Sequence, residues 1–112
     1  MKIREVTQIL EATLHCGEEL LDSEVFSACG ADLMSDVLAF VKDQPVLLTG
    51  LVNPQVIRTA DMMDIGCIVF VRGKQPAPPL IELAREKKIV MMSTEFRMYI
   101  ACGKLYAAGL MG

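Results

Sequence analysis

The feature that most constrains this chain is an alternation, from Val46 onward, of short apolar runs and amphipathic segments. The runs are Val46–Thr49, Cys67–Val71 and Ile89–Met92, and each precedes a stretch with apolar residues at helical spacing. Strands that are apolar throughout are typical of sheets covered on both faces, and helix-length crossovers join parallel strands. The predicted fold class is therefore three-layer α/β, with a short, mostly parallel sheet flanked by helices.

The sequence before Val46 predicts two further helices and two further strands, and the end of the sequence predicts a last helix. A helix is predicted over Lys2–Glu11, and β-prone residues occupy Ala12–Cys16 and Glu24–Cys29. The apolar face of the next helix comprises Leu33, Met34, Val37, Leu38 and Val41. The inward stripe of the last helix comprises Met98, Ile100, Ala101, Leu105 and Ala108. The pattern does not determine where the two N-terminal strands join the sheet.

Length and charge exclude several classes of protein. With 112 residues the chain can bury one core, and we expect a single domain over residues 1–112. A formal net charge of −3 argues against non-specific binding to nucleic acid or an anionic membrane. Neither a signal-peptide run nor an apolar stretch of membrane-spanning length is present. We therefore expect a cytoplasmic protein that binds neither nucleic acid nor a membrane.

Apolar residues are abundant for so short a chain. They make up 53% of the sequence, and the mean hydropathy is +0.41. A small domain with this composition tends to leave apolar surface exposed, and such surface usually meets a partner. We therefore predict a homodimer.

The four cysteines, Cys16, Cys29, Cys67 and Cys102, lack the spacing of a ligand motif. No CxxC or CxxxC pair occurs, and the single histidine, His15, adjoins Cys16. Zinc and iron–sulfur sites usually depend on such close pairs. We interpret the cysteines as reduced packing residues, and their spacing argues against a metal site or an iron–sulfur cluster.

Polar and turn residues follow three of the predicted strands, at the edge where open parallel sheets usually bind ligands. Helix N-termini beside a guanidinium would form an anion or nucleotide-phosphate site there. The same residues also suit helix caps and turns, with Asn53 beginning one helix and Ser93-Thr94-Glu95 capping the last. Both interpretations stay open. The candidate ligand-binding residues are Thr49, Gly50, Asn53, Arg72, Gly73, Ser93 and Thr94.

Catalytic motifs are not recognisable in the sequence. Neither GxGxxG nor GxxxxGK[ST] occurs, so no cofactor is evident, although a nucleotide at the strand ends stays open. Adjacent residues of a strand point to opposite faces, which makes His15 and Cys16 an awkward dyad. Asp32 and Asp36 suit a solvated helix start. We assign no catalytic residue, and the sequence favours a non-enzymatic role.

Several segments, read together, resemble DRTGG domains. They are Leu33–Leu38, Val46–Gly50 and Ile89–Thr94, and the ending Ala101–Tyr106 is similar to small stand-alone members of that family. The resemblance covers nearly the whole chain through the order and spacing of these segments. It implies a small α/β domain related to the N-terminal domain of HPr kinase/phosphorylase. The Asp-Arg pair for which the family is named is missing from Gly50–Pro54, although backbone N–H groups from Asn53 to Gln55 could still bind a ligand there.

The resemblance also implies a role. DRTGG domains accompany CBS pairs and phosphotransacetylase-type enzymes, and small stand-alone members occur beside iron-only hydrogenase subunits in clostridial gene clusters. This favours a non-enzymatic regulatory or scaffold domain of redox or iron-only hydrogenase metabolism, with a hydrogenase or redox-enzyme subunit as partner. One alternative is a small-molecule sensor that binds a nucleotide or another anion at the carboxyl edge of the sheet. An iron–sulfur or metal carrier is the last alternative.

Overall fold

The structure, a computed structural model, describes residues 1–40 and 42–112. A short 3-10 helix over Glu18–Leu20 follows the first strand. The α-helices are α1 (Ile3–Ile9), α2 (Met34–Phe40), α3 (Pro54–Met62), α4 (Pro78–Glu86) and α5 (Met98–Ala107). The strands are β1 (Thr13–Cys16), β2 (Ser27–Gly30), β3 (Pro45–Thr49), β4 (Cys67–Phe70) and β5 (Val90–Ser93).

The five strands form one sheet in the order β1-β5-β4-β3-β2. The four strands from β2 to β5 are parallel, whereas β1 pairs with β5 in the antiparallel direction. The three strands predicted to be parallel are adjacent, and the two N-terminal strands occupy the two edges. The sheet is therefore mostly parallel, with one antiparallel edge strand.

Both edges of the sheet are irregular or covered. The register of β1 against β5 shifts between Leu14 and Cys16, which leaves His15 as the extra residue of a bulge. At the other edge, the backbone N–H of Ala28 in β2 donates a 2.9 Å hydrogen bond to the carbonyl of Met111. A residue of the C-terminal tail thus satisfies a donor that an edge strand would otherwise present to solvent.

Alternate residues of the strands enter two separate hydrophobic clusters, which makes the fold three-layered. In β3, Val46 and Leu48 join a cluster with residues of α1 and α5, whereas Leu47 joins a cluster with residues of α2, α3 and α4. Successive side chains of a strand point to opposite faces, so each face of the sheet has its own helical layer. The predicted fold class is confirmed.

The predicted cap of α3 is present, whereas the predicted cap of the last helix is not. Asn53 caps α3, because its Oδ1 accepts from the N–H of Val56 at 3.3 Å, and Pro54 opens the helix. The predicted cap Ser93-Thr94-Glu95 of the last helix is wrong. Ser93 belongs to β5, and α5 begins at Met98 without a side-chain cap.

Two predicted helix faces are also only partly right. In α5, Ala101 and Leu105 are buried, but Ile100 and Ala108 are exposed. Ile100 lies one residue, or about 100°, from the buried row at Ala101, and Ala108 follows the end of the helix.

The predicted apolar face of α2 is likewise only partly buried. Met34 and Val37 are buried, whereas Leu33 and Leu38 are exposed. Val41 lies outside the described residues. Met34 and Val37 join the cluster with residues of α3 and α4, whereas Leu33 and Leu38 lie outside it.

None of the helices in the described ranges combines the length and the apolar character that crossing a membrane requires.

Candidate functional site

The predicted site residues follow strands that end at one level of the sheet. Thr49 is paired in register with Phe70, and Phe70 with Ser93. The segments after these strands then bond to one another, because the N–H groups of Arg72 and Gly73 donate to the carbonyls of Phe96 and Thr94, both at 2.8 Å. The structure thus brings the loops carrying the predicted residues together at the carboxyl edge.

The side chain of Thr49 is buried and fully used inside the protein. Its Oγ1 donates to Oδ1 of Asp32 at 3.2 Å and accepts from the N–H of Leu51 at 3.1 Å. The same Asp32 oxygen accepts from the N–H of Gly50 at 2.6 Å. Asp32 therefore fixes the end of β3.

Sequence reasoning missed this role of Asp32. It placed the residue at a solvated helix start, on the sound ground that short polar side chains suit that position. The Asp32 carboxylate instead accepts hydrogen bonds from Thr49 and Gly50, which lie 17 and 18 positions later in the sequence. Only the proximity of β2 and β3 could have revealed it.

Ser93 and His15 form a hydrogen-bonded pair that is not a nucleophile and its base. Oγ of Ser93 lies 2.7 Å from the carbonyl of Lys74 and 2.8 Å from Nε2 of His15. A hydroxyl has one proton, and the Lys74 carbonyl can only accept, so Ser93 donates to Lys74 and His15 Nε2 donates to Ser93. Burial lowers the pKa of His15 from its ordinary value, which favours the neutral ring.

Thr94, the neighbour of Ser93, is likewise committed to the interior. Its Oγ1 donates to the carbonyl of Leu10 at 2.7 Å and accepts from the N–H of Phe96 at 3.3 Å. This bond ties the segment after β5 to the end of α1. It also explains why the hydroxyl does not cap α5.

Arg72 and Gly73 form a sharp turn in which both residues are left-handed, with φ of 60° and 69°. Successive N–H groups in such turns can bind anions, but here both donate to protein carbonyls. The exposed Arg72 guanidinium packs on Gly50, where a Cβ would meet its Nη2, and the Asp32 carboxylate lies beside the same glycine. The Glu95 carboxylate occupies the equivalent space at Gly73. The charge around Arg72 is therefore mixed.

A groove of about 710 Å³ lies between the N-terminal halves of α3 and α4, at this same edge of the sheet. Asn53 is the residue of the predicted set that lines it. The volume falls in the usual range for small-molecule sites, roughly 300–1,000 Å³. The groove is lined by Val52, Asn53, Pro54, Arg58, Gln75, Ala77, Pro79, Leu80 and Leu83.

The groove is mostly apolar and contains one charged side chain, that of Arg58. The ion pairs found among residues 1–40 and 42–112 are Arg4–Asp22, Glu82–Arg85 and Asp61–Lys87, so Arg58 has no carboxylate partner there. An unneutralised guanidinium beside an apolar wall suits a ligand with one acidic group and an apolar body. Sequence reasoning did not find Arg58, because a single arginine within a helix carries no motif.

The cysteines are packed rather than poised for chemistry. Burial raises the pKa of all four thiols, and that of the fully buried Cys67 to about 12. Sγ of Cys102 lies 3.8 Å from Sδ of Met98, and Sγ of Cys16 contacts the carbonyl of Ile89. Within the described part of the chain, no group of three or more histidine, cysteine or acidic side chains is arranged to hold a metal ion.

These observations define an α/β domain with a mostly parallel sheet and a ligand-sized groove at its carboxyl edge. No family model matches the sequence, and no curated protein matches it. A solved structure does match: the CBS and DRTGG domains of the regulatory region of Clostridium perfringens pyrophosphatase, complexed with its activator, diadenosine tetraphosphate. The TM-score is 0.75 at 17% sequence identity, over 93% of this chain.

The chain spans 45% of the length of that regulatory region. At this level of identity the likeness concerns the fold, and it agrees with the DRTGG-like architecture that the sequence resembles. It does not bear on an association with hydrogenases.

Proposed function

We propose that this chain is a cytoplasmic regulatory domain that senses a nucleotide or a similar small anion at the carboxyl edge of its sheet. The observation that carries the proposal is the groove between α3 and α4, in whose mostly apolar lining Arg58 has no carboxylate partner among the described residues. The groove lies where ligands of open α/β sheets usually bind.

The structural neighbour supports this proposal by analogy. Its structure is that of a regulatory region in complex with a nucleotide activator. A shared fold does not by itself transfer a ligand, so the argument for this chain depends on its own groove. The absence of a recognisable catalytic motif from the sequence favours sensing over catalysis.

The predicted residues have different roles in this proposal. Asn53 lines the groove and caps α3, so it would contact the ligand directly. Thr49, Gly50, Gly73, Ser93 and Thr94 hold the neighbouring loops in place through the contacts described above. Arg72, which is exposed beside Gly50, is the predicted residue that could reach a ligand extending beyond the groove.

The proposal is tested by thermal denaturation of the purified protein with nucleotides, inorganic phosphate and small carboxylates. A ligand that binds the folded state raises the melting temperature. Ala77→Trp fills the groove from an exposed position whose side chain makes no capping bond, and it should abolish the rise. If Arg72→Ala abolishes the rise and Ala77→Trp does not, the ligand binds beside Arg72 and the groove assignment is wrong. No rise with any of these anions would overturn the sensor function.

A second candidate function is that of a dimeric scaffold, and the outer face of α5 favours it. Tyr99 and Tyr106 are 86% and 61% exposed, and Ile100 is exposed between them. Lys104 is the single charged residue of this helix, and its ammonium lies 4.8 Å from the centroid of the Phe96 ring. Such a face is too apolar to be an ordinary solvated helix surface.

We propose a second copy of this chain as the partner on α5. A shallow, open depression on this face is lined by Tyr99, Ile100, Gly103 and Tyr106, and apart from the neighbouring residues and the backbone of α5 no atom lies within 4 Å of where a Cβ of Gly103 would be. The same surface therefore carries both projecting rings and a recess, which a twofold interface requires. Charge also favours this, since two copies would bring together faces with little charge.

Light scattering over a range of concentrations tests the dimer. The double variant Tyr99→Ser, Tyr106→Ser should be monomeric where the unmodified protein is dimeric. Phe26→Ser is the matched control, since Phe26 is 57% exposed and does not line this depression. A wild-type protein that stays monomeric at all concentrations would contradict the proposal.

An association with iron-only hydrogenase or another redox enzyme is supported by the sequence resemblance of Ala101–Tyr106 and the other quoted segments. Binding of the purified chain to a purified hydrogenase subunit tests it, and lack of binding would overturn it. Metal analysis together with an anaerobic absorption spectrum tests the carrier alternative, against which the raised pKa values of the four thiols argue.

A further inference from the structure

We propose that the groove between α3 and α4 selects a nucleoside monophosphate over nucleoside polyphosphates, because it offers one guanidinium in a mostly apolar lining and few N–H donors at the helix starts beside it. This inference rests on the proposed ligand-sensing function and specifies the ligand class. The fold by itself assigns no ligand to this groove.

The two helix starts beside the groove offer few N–H donors, because three prolines occupy them. Sites for several phosphates use successive N–H groups at the start of a helix. Here α3 begins with Pro54, and α4 begins with Pro78 and Pro79, none of which has an N–H. The side chain of Asn53 already accepts from the N–H of Val56. The N–H of Gln55 is then the donor of the first turn of α3 that neither the helix nor its cap satisfies.

The charge of the groove also matches one acidic group. Arg58 is the single charged residue of its lining. A guanidinium can bind one phosphoryl group through two parallel hydrogen bonds. Each further phosphate would bring charge that the lining does not neutralise, in a chain whose formal net charge is already −3. Arg72 cannot readily compensate, because Asp32 lies beside it and Glu95 packs on the adjoining Gly73.

The rest of the groove suits a flat apolar body. Val52, Pro54, Pro79, Leu80 and Leu83 give it aliphatic walls, and Gln75 supplies an amide that can both donate and accept. A nucleobase is flat, largely apolar on its faces and polar at its edge. We therefore place the base against these walls, its edge towards Gln75, and the single phosphate at Arg58.

The test is isothermal titration of the full chain with adenosine, adenosine monophosphate, adenosine triphosphate and inorganic phosphate at fixed ionic strength without divalent cations. We expect the monophosphate to bind about tenfold or more tightly than the triphosphate, adenosine or phosphate alone. Arg58→Gln should weaken monophosphate binding about tenfold or more, the effect of losing a charged hydrogen bond. Arg97→Gln, which removes an exposed arginine outside the groove, should leave the affinity unchanged.

The outcomes separate this inference from the function on which it rests. Tighter binding of the triphosphate, or monophosphate binding that survives Arg58→Gln unchanged, would overturn the selectivity and leave the sensor function standing. Binding of inorganic phosphate as tightly as the monophosphate would also overturn it, because the base would then contribute nothing. No binding of any of these compounds or of other small anions would overturn the sensor function itself.

Discussion

The carboxylate of Asp32 and the backbone N–H of Gly50 are joined by a 2.6 Å hydrogen bond that links the segment before α2 to the end of β3. The same oxygen accepts from the hydroxyl of Thr49. The Asp32 side chain thus holds the start of the loop between β3 and α3, and this loop contributes residues to the groove.

Asp32→Ala should destabilise the protein by about 1–3 kcal/mol, because it removes a charged acceptor and leaves the buried Thr49 hydroxyl short of a partner. Urea unfolding followed by circular dichroism measures the change. Asp36→Ala is the matched control, an exposed aspartate in the first turn of α2, where a few tenths of a kcal/mol are expected. Equal losses for the two variants would contradict the role given to Asp32.

His15 makes the stability depend on pH in the mildly acidic range. Burial lowers its pKa in the folded protein below the ordinary value of 6.5, so the unfolded chain binds the proton more readily. The contribution of His15 to stability should therefore be constant above about pH 7, fall as the pH drops below 6.5 and level off below the folded pKa.

The measurement for His15 is the urea midpoint as a function of pH in the wild type and in His15→Gln. The glutamine amide can donate to Ser93 as Nε2 does, but it does not titrate. The difference between the two proteins should thus grow as the pH falls through this window. A constant difference would show that His15 carries no linked proton.

Lys88 sits in the left-handed region, with φ of 57°, directly after the C-cap of α4. A residue with a Cβ pays about 1–2 kcal/mol for this conformation, and glycine recovers part of it at an entropic cost of about 0.5–1 kcal/mol. Lys88→Gly should therefore stabilise the protein by roughly 0.5–1 kcal/mol. Glu86→Gly, within the helix, should destabilise it by up to about 1 kcal/mol. Thermal unfolding distinguishes the two, and the same sign for both would contradict the argument.

Cys67 should be unreactive towards thiol reagents in the native protein. It is fully buried, and its pKa is raised to about 12, so almost no thiolate forms at neutral pH. Cys29 and Cys102 are partly exposed and should be modified first, whereas Cys67 should react only when the chain unfolds. Mass spectrometry after timed labelling, with and without denaturant, gives the order. Early modification of Cys67 in the native state would contradict the packing described here.

The parallel core could be predicted because its signals are local. Each of β3, β4 and β5 is an apolar run between turn residues, and Asn53 with Pro54 marks a helix start whatever surrounds it. The positions of the edge strands and the start of α5 were harder to predict, because they depend on distant residues. For example, β1 pairs with β5 some 80 positions later in the sequence. Thr94 has the residue type of a cap, but the carbonyl of Leu10 claims its hydroxyl.

The candidate site shows the same division between local and distant information. Parallel strands end at the same edge of a sheet, so the residues that follow them were predicted to meet there. In the structure they lie at that edge. The internal hydrogen bonds of the three hydroxyls could not be predicted, because their acceptors are distant in the sequence and no pattern connects them. Thr49 donates to Asp32, Ser93 to Lys74 and Thr94 to Leu10. The groove with Arg58 arises only when α3 and α4 pack side by side.

The bond between the Ala28 N–H and the Met111 carbonyl has a consequence for solubility. A foreign strand could extend the sheet at β2 only after the tail has detached, and at β1 it would meet a bulged backbone whose hydrogen-bonding groups are out of phase. Polymerisation through strand addition is thus opposed at both ends of the sheet. Conditions that loosen the tail should be those in which the protein first forms fibrils or insoluble aggregates.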